Sequence, residues 1–132
     1  MRPDEMIALK IVEELAASND AFDWTGIYWV DGDVLVLGPY VGPPPDGHER
    51  IEIPEGVCGA VAASGETEVV PDVRARPGHI ACDLSTRSEV VAPIRLNGRV
   101  VGVLDVDSNR LAAFGAAEIA AIEQAARAIG AA

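Results

Sequence analysis

Basic side chains are scarce in this sequence: 10 lysines and arginines stand against 21 aspartates and glutamates, for a formal net charge of -11. A surface of that sign repels phosphate backbones and anionic headgroups, so neither nucleic acid nor a membrane surface is an expected partner. Long apolar runs are also missing, and none approaches the roughly 18 residues of a membrane span. The start, Met1-Arg2-Pro3-Asp4-Glu5, has no apolar leader core, which reads as a cytoplasmic protein. Cysteine occurs only twice, at Cys58 and Cys82. In a reducing cytosol such a pair is more often reduced, catalytic or metal-binding than a structural staple. There is no nucleophile elbow, phosphate loop, dinucleotide fingerprint, CxxC pair or zinc-protease helix, and no internal repeat. At 132 residues the chain reads as one domain, long enough to bury a core.

The residues that are present alternate between helix and strand patterns. Residues 4 to 18 carry Ile7, Ile11, Val12 and Leu15 at helical spacing, with Glu5, Glu13 and Glu14 on other faces. Trp24 to Val30 and Val34 to Leu37 are β-branched and aromatic, and Asp31-Gly32-Asp33 between them signals a hairpin. Residues 41 to 49, with three consecutive prolines, read as a loop. Arg50 to Ile53 alternates as a short strand, and Val57 to Ser64 is a short helix of small residues ended by Gly65. From Pro71 to Arg87 periodicity disappears, and loops that long in small domains are usually functional or disordered. Glu89 to Leu96 and Arg99 to Asp107 form a second hairpin about Asn97-Gly98, and Ala116 to Ile129 is a closing helix with Gly115 as N-cap. This order predicts an α+β fold: an antiparallel sheet, both terminal helices on one face, and the loops with the short helix forming a pocket on the other.

Several side chains in this plan are suited to chemistry. Asp105 and Asp107 are two apart on one strand and point to one side of the sheet. Glu89 begins the neighbouring strand, close in height to one or other of them. Acids so grouped repel unless a cation intervenes or one holds a proton, which suits an ammonium group, a metal ion or a general acid; a solvated acidic strip is the plainer alternative. Cys82 lies in Pro77-Gly78-His79-Ile80-Ala81-Cys82-Asp83, a loop cysteine beside a glycine, a histidine and an aspartate. It reads equally as a reactive thiol or as a small buried hydrophobe. Cys58, in Glu55-Gly56-Val57-Cys58-Gly59, sits where a helix start favours a thiolate, or simply packs tightly. Cys58, His79, Cys82 and His48 together offer zinc-type ligands, though only His79 and Cys82 are closely spaced.

Six stretches in order carry a family resemblance: Leu35 to Tyr40, Gly56-Val57-Cys58-Gly59, Val70-Pro71-Asp72-Val73, Pro77 to Asp83, Ser88-Glu89-Val90-Val91, and Gly102-Val103-Leu104-Asp105-Val106-Asp107-Ser108. Together they resemble the free methionine-R-sulfoxide reductases, stand-alone GAF domains, over most of the chain. The resemblance implies a single GAF domain across residues 1 to 132 that reduces the R-sulfoxide of the free amino acid by thiol chemistry, with no cofactor and no metal in the site. It implies Cys82 as the attacking cysteine and Cys58 as its resolving partner through a redox-active disulfide. Glu89, Asp105 and Asp107 would hold the substrate, and Trp24 would wall its methyl end. Free methionine sulfoxide and thioredoxin or another thiol reductant are the implied partners, and a homodimer the implied assembly. One departure stands out: family members commonly carry a third cysteine ten residues before the position of Cys58, and this chain has His48 there. The alternative is a GAF module that binds an amino-acid-like ligand without chemistry.

Overall fold

Asp4 opens the first helix, α1 (Glu5–Ala17), because its carboxylate accepts the otherwise unpaired Ile7 amide at 3.0 Å. In the computed structural model, which describes residues 2–45, 47–79 and 85–132, the chain then runs through β1 (Trp24–Asp31) and β2 (Val34–Val41). β3 (Arg50–Glu52), α2 (Gly56–Ser64) and β4 (Glu68–Val70) follow, then a 3₁₀ turn at Val73–Ala75. The second hairpin, β5 (Ser88–Leu96) and β6 (Arg99–Ser108), leads into α3 (Ala116–Gly130). The six strands form one antiparallel sheet in the order β3-β2-β1-β6-β5-β4, so the α+β layout read from the sequence is the one observed.

Both hairpin turns form where the sequence placed them. Asn97 and Gly98 take positive φ values of 53° and 81°, the twist that a two-residue turn between right-twisted strands requires. Strand β4 was not anticipated; its three residues pair with β5, Val70 standing opposite Glu89. The face of α1 needs correction as well. Ala8, Val12 and Leu15 are buried, whereas Ile7 is 47% exposed, because a stripe stepping four and then three residues passes one position beyond Ile7. In α3 the buried residues Ile122, Ala126 and Ile129 lie on one helical stripe.

The sheet divides the interior in two. Facing α1 and α3 lie Ile27, Trp29, Val90, Ala92, Ile94, Leu104 and Val106, all but closed to solvent. Facing the loops and α2 lie Trp24, Tyr28, Val70, Val91 and Val103, packed with Cys58, Val57, Val61 and Val73. Among the described residues no helix is long and apolar enough to cross a membrane.

Candidate active site

The placement of the acids rests on one residue of register. From the Leu96–Arg99 closure a straight ladder would set Glu89 opposite Val106, and the acids of β5 and β6 would then point to opposite faces. The pairing instead steps from Arg95–Val100 to Ile94–Gly102, leaving Val101 as a bulge. Beyond it Glu89 pairs with Asp107 and Val91 with Asp105. On the other side of β6, Trp24 pairs with Asp107 and Gly26 with Asp105. Glu89, Asp105, Asp107 and Trp24 therefore share the loop face of the sheet.

All three acids are buried, at 4%, 1% and 5% exposure for Glu89, Asp105 and Asp107. This excludes the solvated-strip alternative. Cys58 joins them from the first turn of α2, and Cys58, Glu89 and Asp105 each present a ligand atom within 4.8 Å of the others. The helix reaches this position because Gly59 has no side chain: a Cβ there would lie 2.7 Å from the Pro54 carbonyl carbon and 2.8 Å from the Glu52 oxygen. His79 Nε2 stands 3.3 Å from Glu89 Oε1. Its segment is anchored by Arg76, whose guanidinium bonds both Glu68 carboxylate oxygens at 2.8 and 3.0 Å and whose carbonyl accepts the His79 amide. The base of the loop is tied down where the Val73 amide donates to Arg87 and the Arg87 amide to Ser108.

These contacts divide the acids into two kinds. Burial, then the neighbouring Asp107, Cys58 and Glu89, pushes the Asp105 carboxyl well above the usual carboxylate range and so favours its protonated form. For Glu89 burial acts in the same direction, but hydrogen bonds with His79, Asp105 and Asp107 and the His79 imidazole outweigh it and hold the group below its usual value. One carboxyl group is biased toward the charged form and its neighbour toward the protonated form, in a space closed to bulk water. Such a pair can neutralise an ammonium group and protonate a departing oxygen.

Trp24 forms the side wall. Its ring stacks on Tyr40 at 5.6 Å and Tyr28 at 6.2 Å between centroids, and its Nε1 donates to the Pro43 carbonyl at 2.9 Å. The Tyr28 hydroxyl donates to the His48 carbonyl at 3.0 Å. The proline-rich loop is thus roped to the aromatic wall, and Gly42 (φ +134°) permits the close approach, since a Cβ there would meet the Trp24 ring at 2.6 Å. Among the described residues of the four zinc-type ligands read from the sequence, Cys58 joins the cluster, His79 backs Glu89, and His48 is held through its backbone. Cys82, the expected nucleophile, lies outside the described residues. The sequence reading passed over Tyr28 and Tyr40 and did not link His79 to Glu89. Strand parity from Trp24 would have found Tyr28, four residues along on the same face.

Comparison with known proteins bears on what this site belongs to. The GAF domain family model matches residues 5–132. The chain belongs to the GAF domain family. Within it, this GAF domain is 39% identical over 92 residues to the free methionine-R-sulfoxide reductase of Escherichia coli strain K12, a match covering 70% of this chain and 54% of that protein. The type II free methionine-R-sulfoxide reductase of Thermoplasma acidophilum superposes with a TM-score of 0.91 at 29% identity, over 96% of this chain and 89% of that one. The free methionine-R-sulfoxide reductase of Neisseria meningitidis, solved in complex with its substrate, superposes with a TM-score of 0.85 at 38% identity, over 97% and 78%. The resemblance carried by the six sequence stretches is therefore shown. The chain spans about half the length of the curated relatives it matches.

Proposed function

We propose that this GAF domain reduces free methionine-R-sulfoxide to methionine. The observation that carries the reading is the closed cluster of Glu89, Asp105 and Asp107 beside Cys58, walled by Trp24. Its similarity to reductases of that name supports the same reading. In the proposed reaction Glu89, with Asp107, neutralises the substrate ammonium, and Trp24 packs against the methyl end. The Cys82 thiolate attacks the sulfoxide sulfur while Asp105 supplies a proton to the oxygen. The oxygen passes to Cys82 as a sulfenic acid, and the substrate sulfur leaves reduced by two electrons as methionine. The Cys58 thiol then displaces that oxygen as water, forming a Cys58–Cys82 disulfide. Thioredoxin or another dithiol returns both cysteines to thiols, as expected of a protein working in a reducing compartment. A symmetric dimer is the proposed assembly, on the general preference of soluble oligomers for closed isologous pairing.

A second reading, ligand binding without turnover, is favoured by one feature. Cys58 stands among acids, opposite in sign to the cations that usually activate a resolving thiol. Incubation with racemic free methionine sulfoxide and dithiothreitol, followed by separation of the epimers, decides between them. Loss of the R epimer alone supports the reductase, and tight binding with neither epimer consumed supports the binding module. A Cys82→Ser variant that kept full activity would refute the assignment of the nucleophile.

A further inference from the structure

Cys58, Glu89 and Asp105 also have the makings of a metal site. One sulfur and two carboxylate groups, all buried, bring ligand atoms within 4.8 Å of one another. Independently, the Oδ1 atom of Asp105 is sealed from water with no hydrogen-bond partner among the described residues. A buried oxygen in that state is destabilised unless a donor or a cation reaches it. We infer that this triad binds a thiophilic divalent cation of the zinc class, in the space where a substrate ammonium group would sit. The ion would be a competitor for the site, not a cofactor of the reaction.

The chemistry of the donors selects this class of ion. Thiolate sulfur disfavours magnesium and calcium, whereas a mixed sulfur and carboxylate set suits zinc and its heavier congener cadmium. The dimensions fit too: an ion centred among donors spread over at most 4.8 Å lies about 2.8 Å from each, so shifts of under about 1 Å reach ordinary zinc–sulfur and zinc–oxygen distances. Cys58 is fixed on its side by the close seating of α2 at Gly59, and Glu89 on the other by His79 at 3.3 Å. An imidazole behind a ligating carboxylate is the kind of outer partner that orients metal ligands. Three protein donors leave a fourth tetrahedral position for water. The site rests on its own geometry, and only its overlap with the amine position depends on the function proposed above.

The test is a titration of the reduced, metal-free Cys82→Ser protein with Cd²⁺, read by the ultraviolet charge-transfer absorption of a cadmium–thiolate bond. Removing Cys82 leaves Cys58 as the sole thiol. The expected result is a band that saturates at one ion per chain, is displaced by Zn²⁺, and disappears when Cys58→Ser is added. Asp105→Asn and Glu89→Gln, each introduced separately, should weaken Cd²⁺ binding at least tenfold while circular dichroism shows the fold intact. If Asp105→Asn does not fold, Glu89→Gln decides alone. A band that never saturates, or an affinity unchanged in the folded carboxylate variants, would reduce the site to a lone thiol and overturn the inference. Sulfoxide turnover does not enter the readout, so this claim and the proposed activity fail separately.

Discussion

On the helix side of the sheet the inward residues Ile27, Trp29, Val90, Ala92, Ile94, Leu104 and Val106 are predominantly apolar and packed against α1 and α3. On the loop side the same strands end in Trp24, Glu89, Asp105 and Asp107, equally closed to water. Burial is the same on both sides and chemistry is opposite. On the first side removal from water itself drives folding, at roughly 25 cal/mol per Å² of apolar surface. On the second it opposes folding, because confined carboxyl groups must share protons and imidazole contacts instead of water. A chain that keeps such a cluster at the end of its central hairpin gives up stability there, as chains do at functional sites.

The contrast can be broken most severely at the bulge. Deleting Val101 would restore a straight ladder and force either the acids or the core residues of one strand onto the wrong face. The deletion should abolish soluble folded protein, as checked by circular dichroism and size-exclusion chromatography; a folded deletion variant with an intact site would refute this reading of the register. Next comes Leu104→Ala on the helix face, fully buried in the wild type. It should lower unfolding stability by about 2–5 kcal/mol in a urea titration while leaving activity per folded molecule unchanged. Glu89→Gln on the loop face should act chiefly on activity: a loss of about 100-fold, equivalent to about 2.7 kcal/mol, with a urea midpoint that moves less than in Leu104→Ala.

The smallest effect is on the pH dependence of stability. Asp105 has a raised pKa in the folded state, so the native protein holds this proton more tightly than the unfolded chain. Its stabilising contribution is complete below the unfolded pKa and is lost as pH rises toward the folded value. Glu89, with a lowered pKa, contributes above its unfolded value and loses that contribution as pH falls. Asp105→Asn should therefore flatten the decline in stability on the alkaline side of the ordinary carboxylate range, while the acid limb persists. Urea midpoints measured across pH for both proteins would show an unchanged alkaline slope if the assignment of the proton is wrong.

Much of this arrangement was legible in the sequence wherever local chemistry decides structure. Asn97-Gly98 and Asp31-Gly32-Asp33 encode their turns through residues that tolerate positive φ, and Gly65 ends α2 in the same way. Alternation placed Asp105 and Asp107 on one face without any knowledge of neighbours. What escaped was non-local. Three residues, Glu68–Val70, are too few to show a period, and β4 exists only because β5 offers an open edge. The bulge at Val101 lies beside Gly102, an isolated strand glycine that hints at a bulge but does not say which residue is left unpaired, so the register of Glu89 was open by one residue. The contact between His79 and Glu89 joins a loop to a strand through the Arg76–Glu68 anchor, which no spacing rule reveals. The face of α1 was misread at Ile7 because hydrophobicity alone does not say which edge of an apolar stripe meets the sheet.

The central claim is that the buried acids of the loop face read the free amino group of a methionine sulfoxide. It is tested most directly by following loss of the R epimer from free and from N-acetylated methionine sulfoxide side by side, under the same thiol reductant. The account predicts consumption of the free R-sulfoxide and at least a 100-fold lower rate for the acetylated form, whose amide nitrogen brings no charge to Glu89 and Asp107. Equal rates on the two compounds would contradict it.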